Sequence, residues 1–218
     1  MSENCEGKSG TKVGILVSGG GTNLQAIIDA KTGGMLDCCE LSVVISSNPA
    51  AFALQRAQQV GIPTVSIVKK EFRTADEYAE ALVQTLQEYG VQLVVMAGYL
   101  LIVAEPLIRA YEGRIVNVHP ALIPAFSGVG FYGLVPHQKA LEYGVKVTGA
   151  TTHFVGLETD SGPIILQKAV EILPDDTAET LQKRVMQEAE WILLPETICL
   201  FAQGRLKIDG RKVIILKE

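Results

Sequence analysis

Five short apolar runs alternate with helical patterns through the first 119 residues, and this alternation constrains the fold more than any other feature. The runs are KVGILVS (12–18), ELSVVISSN (40–48), TVSIV (64–68), VQLVVMAG (91–98) and RIVNVH (114–119). They are apolar almost throughout, not at every second position. A strand that is apolar on both faces must be covered on both, as in a parallel sheet flanked by helices. The intervening segments supply the helices. Leu24, Ile27 and Ile28 in NLQAIIDAKTGG fall at i, i+3 and i+4, one face of a helix. AAFALQRAQQVG (50–61) stops at Gly61 with Pro63 beyond. TADEYAEALVQTLQEYG (74–90) has an acidic first turn and a closing glycine, and EPLIRAYEG carries a proline near its start. Right-handed crossovers between such units predict an α/β fold, a Rossmann-like doubly wound, mostly parallel sheet.

Beyond His119 the pattern changes. AFSGVGFYGLVPH (125–137) carries three glycines without a clear period and reads as a mobile loop. KVTGATTHFV (146–155) and GPIILQKAVEI (162–172) are expected to form an antiparallel C-terminal ribbon around GLETDS. Residues 175–204 predict a long C-terminal helix. Asp176 and Glu179 have capping-box spacing, Leu181, Val185, Ala189 and Ile192 form an apolar stripe, and Pro195 is expected to kink the helix. RLKIDGRKVIIL (205–216) reads as a hairpin around Asp209-Gly210. The expected organisation is a loose polar tail over 1–11 and one domain over 12–218, its halves being 12–119 and 120–218.

A net charge of −5 argues against a general nucleic-acid or membrane-surface binder, while leaving room for a local phosphate pocket. No apolar run reaches the ~18 residues of a membrane helix, and the polar N-terminus does not read as a signal peptide. Cys5, Cys38, Cys39 and Cys199 show neither CxxC nor metal-ligand spacing, so a cytoplasmic, reducing setting is expected, without a disulfide framework and without a metal site.

Two places carry chemistry. SGGGTN (18–23) joins the first strand to the first helix, where backbone N–H groups and the helix N-terminus can receive an anion. It is not a dinucleotide fingerprint, because Leu24 stands where the third glycine would be, and it lacks the Gly-Lys-Ser/Thr of a Walker loop. It either holds a single phosphate at Gly21, Thr22 and Asn23 or merely permits tight strand–helix packing. The second place is the end of the fifth strand. Asn117 and His119 lie two apart, hence on one face, and end at Pro120. An amide N–H beside an imidazolium N–H makes a site for a developing oxyanion. A charged histidine needs a carboxylate, and Glu158 or Asp160 in GLETDSGP can supply one. Each residue also has a bland role, in satisfying loop backbone or forming a turn. His153, in mid-strand, reads as half-buried and structural.

Taken in order, SGGGTNLQAIIDA, MAGYLLIV, NVHPALIP and THFVGLETDSGPIILQ resemble the phosphoribosylglycinamide formyltransferases, folate-dependent enzymes of purine synthesis, over about 13–204. The resemblance implies formyl transfer from 10-formyltetrahydrofolate to the amine of phosphoribosylglycinamide, without a metal. It places the catalytic Asn, His and Asp on Asn117, His119 and Asp160, and the phosphate loop on Gly21, Thr22 and Asn23. It implies that Glu190 contacts the ribose hydroxyls. It assigns the pterin pocket to Leu100, Leu101, Ile102 and Val103, with Asn117 and Gly156, Leu157, Glu158 and Thr159. A histidine beside Asp160 would then have a raised pKa.

The chain departs from the family at several positions. A common arginine falls near Ala75, with Arg73 two residues earlier, and an arginine of some pterin segments is Leu101. A glutamate–histidine pair reads Glu190-Trp191, and the loop SGVGFYGLVP is longer than usual. Formyltetrahydrofolate deformylase is the alternative, expected to carry an extra N-terminal domain. Methionyl-tRNA formyltransferase is expected to need a further C-terminal one. A non-catalytic phosphoribotide- or folate-binding protein would not need Asn117, His119 and Asp160 together. The partners expected are these small molecules, with no nucleic acid or membrane, for a monomer or homodimer.

Overall fold

A computed structural model describes residues 10–217, so the proposed N-terminal tail lies almost wholly outside the described residues. The five apolar runs become parallel strands β1 (Thr11–Val17), β2 (Cys39–Ser46), β3 (Thr64–Ser66), β4 (Leu93–Met96) and β5 (Ile115–His119). Antiparallel β6 (Val147–Phe154) and β7 (Ile164–Glu171) extend the sheet, and the hairpin β8 (Leu206–Asp209) and β9 (Lys212–Ile215) closes it in the order β3-β2-β1-β4-β5-β6-β7-β9-β8.

The helices are α1 (Thr22–Thr32), α2 (Phe52–Gln59), α3 (Ala75–Glu88), α4 (Glu105–Ala110), α5 (Val135–Tyr143), α6 (Ala178–Val185) and α7 (Trp191–Ala202). They cover both faces. One core joins Val13, Ile15 and Val17 of β1 to Leu24 and Ile27 of α1 and Leu194 and Ile198 of α7. The other joins Leu16 and Val94 to Leu82 and Leu86 of α3 and Leu107 of α4. This is the doubly wound arrangement expected from strands without a polar face. Gly14 lets α3 sit against β1, since a Cβ there would lie 2.6 Å from the Leu86 side chain.

The C-terminal helix departs from expectation in three ways. Its N-cap is Thr177, whose hydroxyl accepts from Thr180 N–H at 3.2 Å while the Thr180 hydroxyl accepts from Thr177 N–H at 2.9 Å, so the capping box is Thr177–Thr180 and not Asp176–Glu179. Asp176 instead takes a two-pronged bond from Arg184, both contacts 2.6 Å. The helix also departs from regular α geometry in a π-helical turn at Met186–Glu190, upstream of Pro195, which lies inside α7. A π turn holds one extra residue and advances the helix phase. The stripe therefore runs from Leu181, Val185 and Ala189 to Leu193 and Leu194, and Ile192 is 43% exposed. The loop after β5 ends earlier than periodicity indicated, because Val135, Pro136 and His137 already belong to α5.

Candidate active site

The chemistry-bearing residues meet at the carboxyl ends of β1, β4 and β5, where the sheet order reverses and sheets of this kind open a crevice. A cavity of about 530 Å³ occupies this place. Every residue expected to line a pterin pocket borders it: Leu100 to Val103 after β4, Asn117 on β5 and Gly156 to Thr159 after β6. Asn23, His119, His153, Asp160 and Glu190 border it as well. Gly21 and Thr22 do not. Gly21 caps α1 in the left-handed conformation at φ 73°, and Thr22 faces a second cavity, beside Trp191.

His119 is held from two sides. Its Nε2–H donates to the Phe126 carbonyl at 2.9 Å, and its Nδ1 faces Asp160 Oδ2 at 3.3 Å. Burial disfavours the imidazolium, Asp160 and the Phe126 carbonyl favour it, and His153 opposes it. Burial wins, so His119 titrates below its ordinary range. The expected raised value is therefore corrected: the neighbouring carboxylate is present, but its attraction is smaller than the desolvation of a nearly inaccessible ring.

Asp160 sits at φ 55°, a left-handed conformation that disfavours a residue with a Cβ and that marks strain at functional turns. The Gly128 N–H donates to its Oδ2 at 2.9 Å. Burial opposes its charge, but His153, His119 and the Gly128 N–H together hold its carboxyl below the usual range.

His153, expected from its mid-strand place to be half-buried, is almost fully buried and links Asn117 to Asp160. It is 2% exposed and lies directly across from Asn117 in the β5–β6 register. Its Nδ1 is 2.8 Å from the Phe154 carbonyl, to which it donates, leaving Nε2 to accept from Asn117 Nδ2 at 3.2 Å. The same Nε2 stands 3.6 Å from Asp160 Oδ1. The alternation Thr151, His153 was the available signal, but the cross-strand partner cannot be read from local sequence.

Elsewhere on the cavity lining Asn23 Nδ2 donates to Glu190 Oε2 at 2.7 Å. Glu190 is buried, which pushes its carboxyl up to about 7 against the opposing pull of Asn23. Among the described residues no group of three or more His, Cys, Asp or Glu is placed to hold a metal ion, and no helix is long and apolar enough to cross a membrane.

A cavity at the switch point of a doubly wound sheet, lined by Asn117, His119 and Asp160, is the arrangement of an α/β enzyme that works on a small ligand. The family described as formyl transferase matches residues 11–198, and the chain belongs to it. Its kinship within the family is specific. Phosphoribosylglycinamide formyltransferase of Haemophilus influenzae is 38% identical over 197 residues, covering 90% of each chain. The crystal structure of glycinamide ribonucleotide transformylase 1 from Symbiobacterium toebii superposes with a TM-score of 0.92 at 43% identity, covering 99% of both chains. The trifunctional purine biosynthetic protein adenosine-3 of Gallus gallus is 40% identical over 197 residues, 90% of this chain, which spans only 19% of that relative's length.

Proposed function

We propose that this protein transfers the formyl group of 10-formyltetrahydrofolate to the amine of phosphoribosylglycinamide, giving the N-formyl ribotide and tetrahydrofolate. The observation that carries this reading is the convergence of Asn117, His119 and Asp160 on one cavity that Asn23, Glu190 and Leu100 to Val103 also line. The phosphate sits at the N-terminus of α1, where the turn ending in Gly21 presents backbone N–H groups. Glu190 accepts from the ribose hydroxyls. The pterin lies against Leu100 to Val103, its hydrogen-bonding edge toward the backbone of Gly156 to Thr159.

The amine attacks the formyl carbon, and negative charge gathers on the formyl oxygen. Asn117 Nδ2–H stabilises it, joined by the His119 Nε2–H once that bond turns from the Phe126 carbonyl to the formyl oxygen. His119 starts with little charge, since burial lowers its pKa. The oxyanion is itself a negative charge at hydrogen-bond distance and favours the imidazolium, whose extra proton comes from solvent and returns to it when the intermediate collapses. Asp160, kept ionised by its neighbours, supports that charge and orders the water that carries the amine's proton to N10 of the leaving folate. The attacking nitrogen loses one proton, and N10 gains one. The free thiols of Cys38, Cys39 and Cys199 suit a reducing compartment.

The test is spectrophotometric detection of folate product from 10-formyltetrahydrofolate, with and without phosphoribosylglycinamide. Turnover is expected only with the ribotide, and His119→Ala should lower kcat by ~10²- to 10⁴-fold. Turnover that ignores the ribotide would make water the acceptor, and binding without turnover would remove the catalytic reading.

A further inference from the structure

The cavity wall over 98–103 has no regular secondary structure. Leu101 and Val103 pack on the core that includes α3 and α4, but Leu100 and Ile102 are 58% and 65% exposed and line the cavity. Side chains held open in this way contribute little packing, so hydrogen bonds decide where their backbone lies. The parallel ladder between β1 and β4 ends just short of the segment, with Ala97 N–H donating to the Leu16 carbonyl at 2.9 Å. Beyond that point two side-chain contacts take over. Leu100 N–H donates to Ser18 Oγ at 3.0 Å, and the buried hydroxyls of Tyr99 and Tyr78, the latter on α3, are 2.5 Å apart. Among the described residues no other hydrogen bond reaches the backbone of 98–103.

Ser18 is the first residue of SGGGTN and does not itself border the cavity. The register that pairs Val17 with Ser46 brings it beside Ser47, whose N–H donates to the Val17 carbonyl at 3.1 Å. The two serine hydroxyls are 2.8 Å apart, which restricts the rotamer of Ser18. Ser47, Ser18 and Leu100 thus form a relay across the carboxyl ends of β2, β1 and β4, carried by side chains where the backbone ladder stops.

We propose that Ser18 is a positioning residue for the folate, its hydroxyl setting the place at which Leu100 and Ile102 meet the pterin, with the Tyr78–Tyr99 pair as a second tether. This rests on the folate reading above. It gives the glycine turn two tasks. Backbone N–H groups near Gly21 receive the ribotide's phosphate, and the side chain of Ser18 shapes the wall used by the other substrate. Alanine at 18 would leave the Leu100 N–H to water, because this bond is exposed. The wall would then shift without loss of the fold, so affinity for folate is expected to suffer more than stability.

Ser18→Ala, Ser18→Thr and Tyr78→Phe test the assignment with three readouts. In native-state hydrogen exchange without ligands, the Leu100 amide should be protected in wild type and exchange roughly 5-fold faster in Ser18→Ala. Calorimetric binding of tetrahydrofolate should weaken roughly 3- to 10-fold in Ser18→Ala, the size of one neutral hydrogen bond, and by a similar factor in Tyr78→Phe. Ser18→Thr keeps the hydroxyl and should restore most of the affinity. In steady-state kinetics the KM for 10-formyltetrahydrofolate should rise by the same factor, while the KM for phosphoribosylglycinamide stays within about 2-fold of wild type. Equal weakening toward both substrates would mean that the whole turn is disturbed and would overturn the proposal. Tetrahydrofolate binding or Leu100 exchange that ignores Ser18→Ala would overturn it as well. Wild type that binds tetrahydrofolate without ribotide-dependent turnover would remove the transfer reading alone, because the first two readouts judge the tether without turnover. Wild type that binds no tetrahydrofolate would remove the folate reading and this proposal with it.

Discussion

Asn117 and His153 face each other across β5 and β6, so the amide proposed to bind the oxyanion is aimed by a second strand as well as by its own. In its protonated form, with Nε2–H turned to Asp160 Oδ1, His153 also favours the carboxylate form of Asp160. Replacing His153 with Ala therefore has a predicted signature beyond a lower kcat. Asp160 loses a group that lowers its pKa, its titration moves up, and activity that needs the carboxylate is lost at a higher pH on acidification. The acid limb of the kcat/KM profile should shift toward neutrality, and an unmoved limb would limit His153 to packing. Asn117→Ala should reduce kcat by ~10²- to 10³-fold with a smaller change in KM, as removal of an oxyanion donor does. Asn117 and His119 were legible because two-residue alternation is local. The direction of the His119 shift was not, because it depends on burial under loop 125–133, which has no periodicity to read.

At the level of elements, two features outside the proposed Asn–His–Asp group support it. Arg184 grips Asp176 just ahead of α6 and holds its carboxyl down at about 2 against an ordinary 3.8. That depressed value contributes stability above pH ~4 and surrenders it as pH falls through about 2. Asp176→Asn should lower Tm at neutral pH and flatten the acid side of the Tm–pH curve. The turn that carries Asp160 depends on Gly162, where a Cβ would lie 1.8 Å from the Phe154 carbonyl oxygen. Backbone cannot yield as a side-chain tip can. Gly162→Ala should cost about 1–3 kcal/mol or more in urea unfolding and abolish turnover. The sequence placed each of these segments in the right kind of element. It missed the Thr177–Thr180 cap and the exposed Ile192, since several Asp and Thr residues compete for the cap and a π turn changes the helix period without a composition signal.

Across the whole molecule, stability should be uneven. β1 and β4 are buried along most or all of their length, whereas β8 and β9 are largely exposed and join the rest of the sheet through the Ile164–Lys212 pairing. Native-state hydrogen exchange should find β1 and β4 among the slowest amides and the terminal hairpin among the fastest of the strands. Uniform protection across the sheet would contradict this. The doubly wound sheet was readable because strands apolar on both faces have few architectures open to them. The cavity was readable only in parts. Its walls come from segments as distant as Asn23 and Glu190, which only the crossovers bring together.

The extra residue in the Met186–Glu190 turn also governs how the chain can tolerate changes in length. Each helical residue turns the helix by ~100°. Removing one residue from this turn would restore a regular helix and shorten the protein by a single amino acid. It would also rotate everything on one side of the turn relative to the other, taking Glu190 off Asn23 or Leu193 and Leu194 out of the core. Insertions and deletions that exposed loops absorb freely are therefore barred here, so among functional relatives length variation should gather elsewhere and leave this one-residue offset intact.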